Sequence, residues 1–310
     1  GGIGTLCVMQ SAALALAKDQ LDEAYALAPN NGRIAGRLSQ SLYRPDASEA
    51  DRARAVAIAR KAVRYEPTAT EALAILAADA LVRGQQAEGE QWLALSQHIS
   101  RRDFQTQILA AELAVTRDDI AGALHHYDVA LRTKKQAAEL LFPLLTSALS
   151  EPAIRSEMVK VLTDKPIWAS AFMDHIAANS ADIAATAAFL SNLQAARITV
   201  PDTAVQAVIA RLIAEKMFDQ AWTIYAAAHA GSDRTYSRDP AFTAALTAPT
   251  AFDWIAINTP SISAEILPDQ TNGLFDFSVP MGHGGEVLRQ FQMLPAGDYV
   301  VTGRSSGVEQ

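Results

Sequence analysis

Few residues in this chain combine the types and spacing that catalysis or metal binding needs. His125 and His126 are the only adjacent histidines. Neighbouring helix positions point about 100° apart, so this pair cannot chelate one metal ion as an i, i+4 pair can. Asp118 and Asp119 precede the helical pattern IAGALHHY, where carboxylates cap free amide groups. We therefore interpret the histidines as surface residues and the aspartates as a helix cap.

The other candidates for a chemical site are equally weak. The glycine-rich stretch MGHGGE, residues 281–286, lacks the lysine and hydroxyl residue of a phosphate loop, so we interpret it as a hairpin loop. Cys7 is the single cysteine, which excludes an internal disulfide and cannot form a zinc site unaided. The sequence contains no nucleophile-elbow, zinc-protease or paired CxxC motif. We expect no enzyme activity, no metal and no cofactor.

The composition favours a large helical core and disfavours nucleic-acid binding. Half of the 310 residues are hydrophobic, and the chain is rich in alanine but has only 16 glycines, which favours helix over most of its length. The net charge is −8, and no cluster of lysine and arginine is evident along the sequence. Nucleic-acid modules carry such clusters on one face, so we expect no nucleic-acid partner.

Triplets at positions i, i+4 and i+7 recur along the chain, and their first and last residues are small. The triplets are Ala17, Leu21 and Ala24; Ala55, Ala59 and Ala62; Gly89, Leu93 and Ser96; Ala123, Tyr127 and Ala130; and Ala221, Tyr225 and Ala228. The three middle triplets are 34 residues apart, a period typical of stacked helix pairs. Paired helices approach closely only where a small side chain meets a larger one. The long interval before Ala221 should hold roughly two further helix pairs.

Two segments carry a family resemblance. AKDQLDEAYALAPNN, from residue 17, and ARAVAIARKAVRYEPT, from residue 53, resemble second helices of the tetratricopeptide repeat, in which a proline closes each unit. The resemblance implies a mainly α protein, with a right-handed superhelix over residues 1–232 and a concave groove lined mainly by first helices. The groove positions that it implies are Arg33, Gln40, Tyr43, Glu71, Gln105 and Glu112. Neighbouring groove positions are apolar, so we expect a protein or peptide partner such as an amphipathic helix.

The pattern changes after the repeats. Residues 233–250 form a predicted linker, because the stretch GSDRTYSRDP from residue 231 is polar and ends in proline. In residues 251–310, five short runs predict strands: FDWIAIN, SISAEI, GLFDFSV, EVLRQFQML and DYVVTGR. The alternation in GLFDFSV predicts that Phe275 and Phe277 lie on one buried sheet face.

The order of these runs loosely resembles the opening half of a carbohydrate-binding-module-like jelly roll. The resemblance implies a small β-sandwich segment, either complete or truncated at Gln310. Trp254 is the residue there that could stack on a sugar ring, although its alternation with Phe252 and Ala256 is more typical of a core-facing strand. Seven acidic and two basic residues give this segment a net charge of −5, which disfavours anionic glycans unless calcium mediates.

The first 17 residues carry no charge. They are either the trailing part of a membrane anchor or signal segment upstream of Lys18, or the buried first helix of the first repeat. An anchor, repeats and a β module together resemble bacterial envelope proteins associated with exopolysaccharide export. We therefore expect a location in the cell envelope or periplasm, with the cytoplasm as the alternative.

These observations favour a protein-binding scaffold or adaptor that uses the repeat groove. The alternative is a carbohydrate-binding accessory protein of polysaccharide export, which would act through the β module. An enzyme whose catalytic domain lies beyond Gln310 is a third class that the sequence leaves open.

Overall fold

Helices make up most of the chain. The computed structural model describes residues 13–304, within which thirteen helices lie complete and residues 13–16 are also helical. The helices are α1 (Leu21–Leu27), α2 (Gly32–Leu42), α3 (Glu49–Tyr65), α4 (Thr70–Val82), α5 (Gln86–Ile99), α6 (Phe104–Val115), α7 (Ile120–Thr133), α8 (Ala137–Ala148), α9 (Pro152–Thr163), α10 (Ala169–Asn179), α11 (Ile183–Ala195), α12 (Asp202–Ala214) and α13 (Phe218–Ala228). The protein is mainly α, as expected.

The chain folds into two compact units. The first contains the residues up to Leu144 together with Ser156–Trp168, and the second contains Leu145–Arg155 and the residues from Ala169 onward. Helices α10 to α13 therefore belong to the same unit as residues 233–304. The predicted division at residues 232 and 250 falls inside this second unit and stays a prediction.

Helices of the first unit pack as neighbouring pairs. Helix α2 packs with α3, α4 with α5, and α6 with α7, and the first helices α2, α4 and α6 also contact one another in that order. Ala55, Ala59 and Ala62 are buried on α3. A Cβ at Gly89 would lie 2.6 Å from Leu81 Cγ, so α5 approaches α4 where only glycine leaves room.

The repeat period also locates the turns and the later helices. Gly84 has a φ of +73° and makes the predicted turn between α4 and α5, a conformation that glycine adopts without strain. Helices α8 to α11 fill the long interval, which confirms the predicted number of helices. The triplet on α13 is only partly buried, because Ala221 and Tyr225 are inaccessible whereas Ala228 is exposed.

Short strands follow the helices in the second unit. Strand β1 (Ile255–Ala256) pairs antiparallel with β4 (Leu288–Arg289), and β2 (Ser263–Leu267) pairs antiparallel with β3 (Leu274–Ser278). Within the described residues these strands form two separate two-stranded sheets. Four of the five predicted runs therefore overlap a strand, but each strand is shorter than its run.

Two strand predictions were wrong. The run DYVVTGR contains no strand through Arg304, and Val301 is 98% exposed, because in the described range no neighbouring strand pairs with it. Phe277 is 46% exposed, so β3 does not bury the predicted face. Alternation determines which side chains share a face, but burial also needs an opposing layer.

A buried carboxylate joins α13 to the segment before β1. Asp253, only 2% exposed, accepts hydrogen bonds from the Tyr225 hydroxyl (2.7 Å) and from the Thr250 amide (2.9 Å) and hydroxyl (2.8 Å). The Phe252 ring packs 5.1 Å from that of Tyr225. This turn precedes β1, so the predicted placement of Trp254 on one strand face with Phe252 was wrong.

We expect overpacking when the small contact residues are enlarged. Ala55 and Ala123 are buried, as the repeat register predicted, and leucine at either position should destabilise the first unit by about 1–3 kcal/mol. Chemical unfolding would measure the loss. The matched changes Ala57→Leu and Ala121→Leu lie at exposed positions of the same helices and should leave the midpoint nearly unchanged. Equal midpoints for all four variants would contradict the packing assignment.

The Tyr225–Asp253 hydrogen bond should hold the segment before β1 in place. In Tyr225→Phe the ring stays but the donor is lost, which should lower the free energy of local opening by about 1–3 kcal/mol. Hydrogen exchange at the Asp253 amide, which donates to the Thr250 carbonyl, would report the change. Tyr236→Phe is the control because Tyr236 is 73% exposed. Unchanged exchange at Asp253 would show that Tyr225 contributes nothing there.

Candidate functional site: a groove on the first helices

A groove lies against the first helices of three successive pairs. Its volume is about 680 Å³, and four of the six predicted groove residues line it. Gln40 and Tyr43 come from the end of α2, and Gln105 and Glu112 come from α6. The structure thus brings together residues that are far apart in the sequence.

The other two predicted residues lie outside the cavity. Arg33 is an exposed residue of the first turn of α2, and its backbone N–H donates a hydrogen bond to the Glu66 carboxylate. The Cβ of Glu71 would be 3.4 Å from a Cβ at Gly36, so Glu71 lies where α4 packs on α2. The repeat register therefore locates the groove better at the end of α2 than at its start.

Most of the groove lining is apolar and was not predicted residue by residue. The apolar lining residues are Ala74, Ile75, Ala78, Leu81 and Val82 of α4 and Ile108, Leu109 and Leu113 of α6. The period contained the signal, since Ala78 and Glu112 are 34 residues apart and both line the cavity, and Gln40 occupies the equivalent position before the four-residue insertion. Applying the same step to every groove position would have identified α4 as the floor.

The apolar surroundings alter the acidity of the groove residues. Desolvation raises the pKa of the Glu112 carboxyl, although much of that side chain is exposed. Burial, followed by the nearby Asp79 carboxylate, raises the pKa of Tyr43, whose hydroxyl stays neutral. The groove therefore offers amides, a phenol, one carboxylate and the guanidinium groups of Arg44 and Arg52 beside an apolar floor, an arrangement suited to binding a ligand with an apolar face.

Trp254 lines a different cavity, in the second unit. That cavity measures about 420 Å³, and Arg238, Asp239 and Phe242 also line it. The Trp254 indole N–H is buried without a hydrogen-bond partner, and its ring lies 5.8 Å from that of Phe242. A ligand with a hydrogen-bond acceptor could satisfy this N–H, but Phe242 occupies part of the space beside the ring.

Residues 13–304 contain no group of three histidine, cysteine or acidic side chains that could hold a metal ion. Across the same residues, no helix has both the length and the hydrophobicity needed to span a membrane. Residues 1–12 of the proposed anchor, including Cys7, lie outside the described chain. Ala13 and Ala17 do lie within it and are buried with Ala24 and Ile34.

No protein-family model matches this chain, and no curated protein matches it significantly. The class that the fold defines is a mainly α protein of packed helix pairs, compatible with a helical repeat. The tetratricopeptide resemblance rests on the residues and spacing given above.

The raised pKa of Glu112 predicts a pH-dependent stability difference. The folded state holds this proton more tightly than the unfolded chain, so stability falls as pH rises from the ordinary value of 4.5 through the raised value. Glu112→Gln removes the ionisation, so its melting temperature should exceed that of the wild type at pH 7 by a margin that shrinks towards pH 4. Glu139→Gln, at an exposed position, is the control and should show no such rise. A margin independent of pH would contradict the assignment.

Proposed function

We propose that this protein is a non-enzymatic scaffold that holds a protein or peptide segment in the groove on α2, α4 and α6. One observation carries the proposal: residues selected from the repeat register alone, Gln40, Tyr43, Gln105 and Glu112, line one cavity with an apolar floor. Concave faces of stacked helix pairs are extended binding surfaces.

The chemistry of the lining favours an amphipathic helical segment as the partner. Side chains such as Ala78, Leu81 and Leu109 provide an apolar floor, and Val82 is 74% exposed. A partner helix would bury apolar residues at i, i+3 and i+4 against this floor. Gln40 and Gln105 could donate and accept hydrogen bonds beside it. The cavity volume fits a few anchoring side chains rather than a whole helix.

The finer features of the proposal rest on the sequence. They are a right-handed tetratricopeptide-like superhelix, a following β-sandwich segment that resembles a carbohydrate-binding module, and a role in a bacterial cell-envelope or exopolysaccharide assembly. The location proposed with this role is the cell envelope or periplasm, and the cytoplasm is the alternative. The alternating strands and the uncharged N-terminal stretch support these features.

A second candidate function is carbohydrate binding at the Trp254 cavity. The observation that favours it is the buried, unpartnered indole N–H, which a sugar hydroxyl could satisfy. Asp239 lines the cavity, but its carboxylate already accepts hydrogen bonds from the Thr243 and Ala244 amides. The second candidate therefore has fewer free polar groups than a sugar site usually offers.

The groove proposal predicts that a selected peptide loses affinity when groove residues are removed. A displayed library of amphipathic helices would be screened on the full chain, and the affinity of a selected peptide measured by fluorescence anisotropy. Replacing Tyr43 and Gln105 together by alanine should weaken binding by about ten-fold or more while the circular dichroism spectrum is unchanged. The control replaces Arg33 and Glu71, which lie outside the cavity.

Three results would count against the groove. They are full affinity in the Tyr43 and Gln105 double variant, an equal loss in the control, and the failure of any library helix to bind. A glycan array tests the second candidate on the same preparation. The Trp254→Phe variant removes the indole N–H. Glycan binding that is lost in this variant would favour carbohydrate binding at the Trp254 cavity over the groove proposal.

A further inference from the structure

A second large cavity in the first unit has not entered the proposed function. Its volume is about 970 Å³, and it lies between α5 and α7, closed at one side by the turn before α6. The lining residues are Ala94, Gln97, His98, Arg101, Arg102, Gln107, His125, His126, Val129, Arg132 and Thr133. None of them lines the groove on the first helices. We call this cavity the basic cleft.

The basic cleft has a charge opposite to that of the whole chain. Its lining contains three arginines and, among these described residues, no aspartate or glutamate. Three histidines also line it, but burial lowers the pKa of His126, so the arginines carry the positive charge. The whole chain carries 34 acidic and 26 basic side chains, so this is a local concentration of cations. The concentration is not evident along the sequence because a complete helix separates Arg101 and Arg102 from Arg132.

A buried amide fixes the geometry of the cleft. Gln107 is only 3% exposed, and its Nε2 donates to the carbonyl of Arg101 at 2.9 Å. Its Oε1 lies 2.7 Å from Nδ1 of His126, so Nδ1 carries the hydrogen and donates. Gln107 thereby ties the backbone that carries Arg101 and Arg102 to α7. The histidine ring is held with its other nitrogen, Nε2, free of this bond.

The arginines are available to a ligand to different degrees. Arg132 donates through Nε to both carboxylate oxygens of Asp128 at 2.8 Å, and Asp128 also accepts from the Trp168 indole. These bonds fix the position of the Arg132 side chain through Nε, and its terminal nitrogens Nη1 and Nη2 take no part in them. In the described chain, the exposed guanidinium groups of Arg101 and Arg102 form no ion pair. Two unpaired guanidinium groups thus border the same cavity as one positioned guanidinium.

We propose that the basic cleft binds a small organic ligand carrying two or more phosphate groups. Arginine forks match phosphate oxygens with paired hydrogen bonds. The volume lies within the range of roughly 300–1,000 Å³ typical of small-molecule sites, which leaves space for an organic body beside the phosphates. The net charge of −8 and the confinement of the arginines to one cavity disfavour a nucleic acid, which needs an extended basic face.

The proposal is independent of the scaffold function. The groove is lined mainly by α2, α4 and α6, whereas the basic cleft is lined mainly by α5, α7 and the turn between α5 and α6, and the two share no lining residue. A peptide partner and a phosphorylated ligand could therefore bind the same molecule at different sites.

The probe for the test is inorganic pyrophosphate, titrated into the full chain by calorimetry at physiological ionic strength. We expect saturable binding that weakens by about ten-fold or more for each arginine replaced by glutamine in Arg101→Gln, Arg102→Gln and the double variant. The matched control is Arg60→Gln with Arg64→Gln, two exposed arginines of α3 with the same total charge change. Proton NMR of the histidine rings should show shifts at His125 and His126 on titration.

Each outcome decides the proposal. Binding that is lost in the Arg101 and Arg102 variants but kept in the control, with shifts at His125 and His126, supports it. No binding at millimolar pyrophosphate, or an equal loss in the control, overturns it. A single-stranded oligonucleotide or an acidic peptide that binds the chain while pyrophosphate does not would also overturn it in favour of a macromolecular ligand. A Gln107→Glu variant, which keeps the side-chain volume but adds a carboxylate beside the cleft, should weaken pyrophosphate binding as well.

Discussion

The close approach of paired helices at small side chains is the constraint on which the first unit depends. Helix pairs pack about 8–10 Å apart, and the shorter distances need alanine or glycine at the contact. Gly89 against Leu81 is the clearest case, because any added Cβ would collide with the leucine. Ala55 and Ala62 serve the same purpose on α3. Once these contacts are made, the rotation of each helix is fixed, and so are the side chains that it presents to either side.

One consequence is that a single helix contributes to two different surfaces. Gln105 and Gln107 are two residues apart on α6, so their side chains point about 200° apart around the helix axis. Gln105 lines the apolar groove, whereas Gln107 is buried at the basic cleft and holds Arg101 near His126. The same packing therefore produces an apolar groove along the first helices and a cationic cleft between second helices. Neither surface requires a change in the other.

The second unit depends on a different interaction. Its strands pair only a small part of the backbone after residue 232, and side chains hold several of the remaining amides. Asp253 is the clearest example, since its carboxylate holds both Thr250 and the hydroxyl of Tyr225 on α13. The aromatic rings of Trp222 and Phe252 pack beside this contact. The sequence pattern located four short strands there but wrongly predicted a fifth in DYVVTGR, and it could not predict strand lengths, because strand length depends on which backbone is available to pair.

The sequence by itself determined the helix pairs, the burial of their small residues and four of the residues that line the groove. It could do so because each repeat applies the same local spacing, so Ala78 predicts Glu112 without knowledge of the tertiary contacts. Only the tertiary structure decided where Arg33 and Glu71 lie, how much of the strand segment is buried, and that a cationic cleft exists. These features arise from contacts between side chains on different helices. Such contacts depend on helix rotation and on neighbouring layers, which no single stretch of sequence records.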